Sequence, residues 1–257
     1  MALIDYQTAV GRLIRGREEV CAKQTALADL NLSQEENAVI EALLAGPGLR
    51  FTRAVQRSWC KGRARNAAYL TLSMMAEPHR QTLLDEWVES GGGIASFFAG
   101  EAERFLEFIA LRLPPRSHLL SVCRMEQAVQ RVNAANDANA YSGGSASQVA
   151  ISLASLPPDA GIGRAPTASL VEFFAEPNLV LQAVHANGTL PPVSAECSNV
   201  FFGPQLPGMF RQAQADEAQL WNRLYVPTRL ALLRAESSFN VPLETMVAQG
   251  LLRATGV

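Results

Sequence analysis

The chain has few of the residues that usually build catalytic or metal centres. Its 257 residues contain three histidines, His79, His118 and His185, and four cysteines that lie far apart. No Cys-x-x-Cys pair occurs, and no histidine stands at metal-ligand spacing from a cysteine. Esterase, phosphate-loop and dinucleotide-binding motifs are also missing. We therefore expect no metal site, no catalytic residue and no cofactor in this chain.

Long apolar runs and an excess of one charge are absent as well. No run approaches the ~18–20 apolar residues that span a bilayer, and the N-terminal segment is interrupted by Asp5, Arg12 and Arg15. The 22 basic and 24 acidic residues give a net charge of −2, far from the positive excess typical of DNA-binding domains. These features predict a cytoplasmic protein without a membrane span.

The chain does contain enough apolar material for a sizeable core. Hydrophobic residues make up 48% of the sequence, and alanine and leucine dominate over aromatic residues, which account for 7%. This composition is typical of packed helices, and the length fits one large domain or two small ones. We therefore predict a mainly α protein.

Helical patterns fill residues 1–136. Ser33 and Glu36 form a capping box before an apolar periodic segment, and the run Gly46-Pro47-Gly48 ends that helix. The short loops predict a helical bundle as the first domain. Further helices are predicted at 49–60, 64–75, 77–89, 94–113 and 118–135.

The sequence changes character after residue 136. Residues 137–167 are rich in Asn, Ala, Ser, Gly and Pro, and we expect them to form a linker. Residues 168–257 are predicted to form a small α+β module with a three-stranded antiparallel sheet and short helices. Its strands are predicted at 169–174, 179–186 and 198–202, and its helices at 213–224, 228–235 and 243–253.

The sharpest charge feature is a basic stripe on the second predicted helix. Arg50, Arg53, Arg57 and Lys61 are spaced three or four residues apart, so they share one helix face. This stripe is suited to phosphates or to an acidic protein surface, and it leaves open a nucleic-acid-binding regulator as an alternative function. A plainer interpretation is that the stripe pairs with the acidic helix predicted at 77–89.

The cysteines leave a further alternative. Their wide spacing favours buried, reduced thiols for Cys21, Cys60, Cys123 and Cys197. A free-standing enzyme would need Cys60 or Cys123 to meet His118 in the fold, because the thiolate requires a neighbouring base.

Several segments together resemble one known family. They include Arg53-Ala-Val-Gln-Arg-Ser-Trp-Cys60, Leu84-Asp-Glu-Trp-Val88, Ala102-Glu-Arg-Phe-Leu-Glu-Phe-Ile109 and Cys123-Arg-Met-Glu-Gln-Ala128, with Gly203-Pro-Gln-Leu-Pro-Gly208 and Glu217-Ala-Gln-Leu-Trp-Asn-Arg-Leu224 further on. In this order they resemble the MbnC family of methanobactin biosynthesis proteins. The similarity extends from about residue 31 to residue 253, and none of the segments is a catalytic signature.

The resemblance implies a companion subunit. Members of this family pair with MbnB, a TIM-barrel iron oxidase, and the heterodimer uses O₂ to convert cysteines of the ribosomal precursor peptide MbnA into oxazolone and thioamide groups. The iron ligands belong to the partner subunit. The helical domain of this chain would dock on the barrel, and its C-terminal module would help to hold the leader of the precursor peptide.

This hypothesis assigns two sets of residues. A small sheet has an edge on which an extended peptide can pair as an additional strand, so the predicted strands 169–174 and 179–186 are the candidates for the leader. The peptide-binding residues are then Leu170, Glu172, Phe174, Leu181, Ala183 and His185. The residues expected to bind the partner subunit are Arg50, Arg53, Arg57, Lys61 and Arg116.

Overall fold

The computed structural model describes residues 3–15, 27–93, 99–141 and 153–255, and within these ranges the chain is mainly helical with a small α+β part. No helix in the described ranges is long and apolar enough to cross a membrane. The helices are α1 (Leu3–Arg15), α2 (Gln34–Ala45), α3 (Pro47–Ala67), α4 (Tyr69–Ser73), α5 (Glu77–Glu89), α6 (Ala99–Ala110), α7 (His118–Tyr141), α8 (Pro177–His185), α9 (Ala215–Arg223), α10 (Leu230–Arg234) and α11 (Asn240–Ala248). The strands are β1 (Gly161–Arg164), β2 (Ser169–Phe173), β3 (Ser198–Phe202), β4 (Phe210–Gln212), β5 (Thr228–Arg229) and β6 (Leu252–Thr255).

Contacts divide the chain into two compact units. The first unit consists of Met1–Ala67 with Met75–Glu101, and the second of Ala68–Met74 with Ala102–Val257. This division differs from the expected boundary at residue 136, because α7 packs against β2 and β3 and its apolar side belongs to their core.

The first unit is a helical bundle centred on α3. This helix packs against α1, α2 and α5. The predicted capping box starts α2: the Glu36 amide donates to Ser33 Oγ at 3.2 Å, and the Ser33 amide donates to Glu36 Oε2 at 2.8 Å. The two bonds satisfy amides that have no partner within the helix.

The second unit is built on two three-stranded antiparallel sheets, where a single sheet was predicted. One sheet has the order β5-β1-β6, and the other has the order β2-β3-β4. The central strand β1 lies inside the segment expected to be a linker, and it is buried. Residues 142–152 of that segment lie outside the described residues.

The β2-β3-β4 sheet has a core on each face. Val171 and Phe173 of β2, with Val200 and Phe202 of β3, pack against α7 and α8. Phe201 points to the opposite face, where it packs against Trp221 of α9 with ring centres 5.4 Å apart. Burial of alternate residues on both faces explains the nearly continuous apolar sequence of β3.

The predicted strand at 179–186 is wrong, because these residues form most of helix α8. Glu176 caps the helix by accepting bonds from the amides of Asn178 at 3.2 Å and Leu179 at 2.8 Å, and Pro177 occupies the first turn. Val180 and Val184, one helical turn apart, are buried against the sheet. The apolar run therefore has helical periodicity, although it is short enough to fit either structure.

The C-terminal helices were also placed only in part. The segment 228–235 begins with the short strand β5 before α10, and the segment 243–253 continues past α11 into β6. The predicted strands at 169–174 and 198–202 correspond to β2 and β3. The first residues of the helix predicted at 94–113 lie outside the described ranges.

Candidate peptide-binding site

The outer edge of β2 is open along two residues. Asn199 accepts a hydrogen bond from Ala213, and Gly203 donates one to Met209, so odd-numbered residues of β3 direct their backbone groups toward the β4 side. The backbone groups of Val200 therefore point toward β2, where Val200 is the register partner of Val171. It follows that Leu170 and Glu172 direct their N–H and C=O groups away from the sheet. In the described ranges no further strand pairs there.

The open edge has a defined end. The carbonyl of Phe174 is the next outward group, and it already accepts a hydrogen bond from the Ser194 amide at 2.6 Å. An added strand would therefore pair with Leu170 and Glu172 and stop before Phe174. Within the described ranges, four backbone groups remain for it, the N–H and C=O of each of these two residues.

A polar groove of about 350 Å³ runs beside this edge. It is lined by Ser169, Leu170 and Val171 of β2. Helix α7, the segment that joins β1 to β2 and Trp221 of α9 also line it. The charged and polar side chains that line the groove are Glu107, Arg124, Gln127, Arg131 and Arg164.

The α7 side of the groove is held in place by ion pairs. Arg124 pairs with Glu107, and its hydrogen bond lowers the pKa of that carboxyl from the ordinary value. Arg131 donates from Nε to Glu103 Oε1 at 2.9 Å and from Nη1 to Ser169 Oγ at 2.9 Å. Because Ser169 begins β2, the second bond ties α7 directly to the strand with the open edge.

Two of the predicted peptide-binding residues, Leu170 and Glu172, lie on this edge. Phe174 is buried, and its carbonyl is occupied by Ser194. Leu181, Ala183 and His185 belong to α8 and are not available for strand pairing. Three of the six predicted peptide-binding residues therefore lie on or next to β2, and the other three lie on α8.

Leu181 instead lines an apolar groove on the α7 face of the same sheet. Phe173, Met125 and Phe210 line it as well. Ala183 is half-buried and His185 is exposed at the C-terminal end of α8.

The cations of the basic stripe are largely engaged within the first unit. Lys61 Nζ lies 2.5 Å from Asp85 Oδ1, and Arg57 lies 3.8 Å from Asp85 and 3.7 Å from Glu89. Arg53 donates from Nε to the Leu13 carbonyl at 2.6 Å. The plainer interpretation, pairing with the acidic helix α5, therefore holds for Arg57 and Lys61. Arg50 is exposed and has no ion pair in the described ranges.

Arg116, the remaining residue expected to bind the partner subunit, is attached to the second unit. Its Nη2 donates to the Ala195 carbonyl at 2.7 Å, and its guanidinium carbon lies 5.3 Å from the centre of the Phe174 ring. It has a positive φ of 56°, a backbone conformation that is uncommon outside glycine.

The thiols and histidine of the enzyme alternative are engaged separately. Cys123 donates to the Leu106 carbonyl at 3.3 Å, whereas His118 Nε2 is 2.8 Å from the Pro191 carbonyl. Burial raises the pKa of Cys123 to about 12. Burial also raises the pKa of Cys60, whose thiol donates to the Gly93 carbonyl at 3.5 Å. Protonated thiols of this kind are poor nucleophiles.

We expect Cys197 to react with iodoacetamide before Cys123 at pH 8. The exposed Cys197 should be alkylated at the rate of a free thiol, and Cys123 should react only after unfolding, since its thiolate is scarce and buried. Peptide mapping by mass spectrometry after timed quenching measures this order. Rapid labelling of Cys123 in the folded protein would contradict the described environment.

In the portion of the chain that the structure covers, no group of three or more His, Cys, Asp or Glu residues is placed to hold a metal ion. Comparison of the chain with protein-family models and with curated proteins gave no match. The resemblance to the MbnC family therefore remains a hypothesis based on the sequence segments quoted above.

The arginines of the groove were not predicted from the sequence. Arg124 and Arg131 are seven residues apart on α7, so a polar stripe through Gln127 was the available signal. Arg164 gave no such signal, because it lies in a segment whose composition indicates a linker and it meets Trp221 only in the folded chain.

Proposed function

We propose that this chain is the non-catalytic companion subunit of an iron- and O₂-dependent peptide-modifying oxidase of the MbnB–MbnC kind. Its role is to bind the leader of a ribosomal precursor peptide, so that the partner subunit converts cysteines of that peptide into oxazolone and thioamide groups. The partner is a TIM-barrel oxidase that carries the iron, and the product class is that of copper-chelating methanobactins.

The single observation that supports this proposal best is the open edge at Leu170 and Glu172. Backbone groups at a strand edge bind an extended peptide without regard to its sequence, and neighbouring side chains add selectivity. The adjoining groove supplies such side chains within the same unit. A leader peptide, which must be held while a distant cysteine reacts, suits this mode of binding.

The alternatives are less well supported. A nucleic-acid-binding regulator would rely on the basic stripe, in which Arg57 and Lys61 already pair with carboxylates of α5. An enzyme based on Cys123 and His118 would need those side chains to share a hydrogen bond, whereas their hydrogen bonds run to different backbone carbonyls.

Reconstitution tests the proposal. The chain, an iron-loaded barrel oxidase of the MbnB kind and an MbnA-like precursor peptide are mixed in air, and the peptide mass is followed with time. We expect modification only when both proteins are present, and no oxidation by this chain alone. The partner subunit with an unrelated helical protein serves as the control. Full modification of the peptide by the barrel oxidase without this chain would contradict the proposal.

A further inference from the structure

Arg164 differs from the other arginines of the groove in having no carboxylate partner. Arg124 pairs with Glu107 and Arg131 pairs with Glu103, whereas the ion pairs of the described residues do not include Arg164. A guanidinium remains protonated throughout the ordinary pH range. The groove therefore contains one positive charge that nothing in the described chain balances with a negative one.

The position of Arg164 is fixed by neutral groups. Its Nε donates to the Trp221 carbonyl at 2.8 Å, and Nη2 donates to the Asn222 carbonyl at 3.4 Å. Its guanidinium carbon also lies 4.9 Å from the centre of the Trp221 ring and 5.5 Å from that of Tyr225. These contacts hold the guanidinium at the groove and leave Nη1 without a hydrogen bond to a described residue, so it is ready to bind a carboxylate.

The geometry of strand addition determines which peptide side chain can meet this charge. Side chains of paired strands point alternately to the two faces of a sheet, in phase with their direct neighbours. Ser169 lies on the α7 face, where its hydroxyl binds Arg131. Leu170 lies on the opposite face, where it packs against the core that contains Trp221. The guanidinium of Arg164 lies over the Trp221 ring. A peptide side chain opposite Leu170 would lie on this same face and would therefore extend toward Arg164.

We infer that the groove selects an extended peptide with an aspartate or glutamate opposite Leu170, whose carboxylate pairs with Arg164. This inference rests on the proposed function and specifies the chemistry of the leader. The neighbouring peptide residues point to the α7 face, where both arginines already have carboxylate partners. One acidic position should therefore dominate the electrostatic part of the affinity.

A double-mutant cycle between protein and peptide tests the inference. The probe is a fluorescein-labelled leader peptide of an MbnA-like precursor. Each of its acidic residues is changed singly to the matching amide, and dissociation constants are measured by anisotropy with the unmodified protein and with Arg164→Gln. For one acidic position we expect about a tenfold loss of affinity with the unmodified protein and less than about a threefold loss with Arg164→Gln.

Controls separate the electrostatic contact from a general defect. Arg253→Gln removes an exposed arginine of β6 that does not line the groove, and it should bind like the unmodified protein. Thermal unfolding of Arg164→Gln checks that this variant folds. If the variant does not fold, the affinities of the amide-substituted peptides for the unmodified protein still test whether one acidic position dominates. If the leader binds and no acidic position affects its affinity, the inference is overturned while the proposed function stands. If the leader fails to bind at all, the proposed function falls with it.

Discussion

Replacing Glu172 with proline is expected to weaken leader binding by about 10- to 100-fold while the protein stays folded. The substitution removes the outward N–H and places a ring where an added strand would lie. Loss of one main-chain hydrogen bond with a desolvated partner costs about 1–3 kcal/mol, which gives this range. Proline is tolerated on an edge strand whose N–H faces away from the sheet, so we expect unfolding free energy to change by less than about 1 kcal/mol.

The matched control for this experiment is Glu172→Ala. Alanine also removes the carboxylate but keeps the backbone N–H, so affinity should remain within about threefold of the unmodified protein. Anisotropy of the labelled leader gives the affinities, and amide hydrogen exchange should show new protection at Leu170 and Glu172 only when the leader is bound. Wild-type affinity in a folded Glu172→Pro protein would show that the peptide pairs elsewhere.

Removing Glu126 is expected to cause a large loss of stability in the second unit. Its side chain is buried on α7 and accepts three hydrogen bonds: from the Leu70 amide at 2.7 Å, the Thr71 amide at 2.9 Å and Thr71 Oγ1 at 2.6 Å. Glu126→Ala leaves these donors without an acceptor, and we expect a loss of about 3–5 kcal/mol in unfolding free energy. Urea denaturation measures the loss.

The same residue predicts a dependence of stability on pH. Burial raises the pKa of Glu126 above its ordinary value, although the hydrogen bonds from Thr71 and Leu70 oppose the shift. The folded protein therefore holds this proton more tightly than the unfolded chain does. The resulting stabilisation is present below the ordinary pKa and is lost as pH rises through the raised value.

Two variants make this second prediction specific. Glu126→Gln keeps one acceptor, so it should cost less than Glu126→Ala, and it should remove this part of the pH dependence because it cannot ionise. Glu244→Ala, an exposed position on α11, should change stability by less than about 0.5 kcal/mol. Equal stability losses for Glu126→Ala and Glu244→Ala would contradict the described hydrogen bonds.

Local signals in the sequence predict the parts of this fold that local interactions determine. The capping box of Ser33 and Glu36 and the apolar pattern of 77–89 locate α2 and α5, because each depends on residues within a few positions. The same logic locates β3, whose apolar residues face cores on both sides of the sheet. The prediction of a mainly α protein was confirmed, because helices also depend on interactions between residues close in sequence.

Long-range pairing explains the elements that the sequence did not predict. β1 contains two glycines and resembles a loop, yet Gly161 pairs with both Arg229 and Thr255. A Cβ atom at Gly161 would lie 2.6 Å from Thr255 Oγ1, so the close approach of β6 requires glycine there. The sequence of residues 137–167 alone indicates neither the pairing of β1 with β5 and β6 nor the need for glycine at position 161.

The candidate site divides in the same way. Leu170 and Glu172 were predicted from a strand pattern in their own segment, and they lie on the open edge. Arg131 contacts Ser169 of β2 at a sequence separation of 38, and Arg164 contacts Trp221 at a separation of 57, so their roles depend on the tertiary fold. Strand periodicity finds the backbone part of such a site, whereas the charges beside it require the packed structure.

The short segment Ala68–Met74, which Glu126 binds, has a consequence for the gene as well as for the protein. This segment belongs to the second unit, although the residues before and after it belong to the first. No uninterrupted piece of the coding sequence therefore specifies either unit. A deletion or a recombination break near residue 136 would not separate two modules, because it would leave α7 in one product and its sheet in the other. A break at any single position of the chain therefore leaves at least one of the two units incomplete.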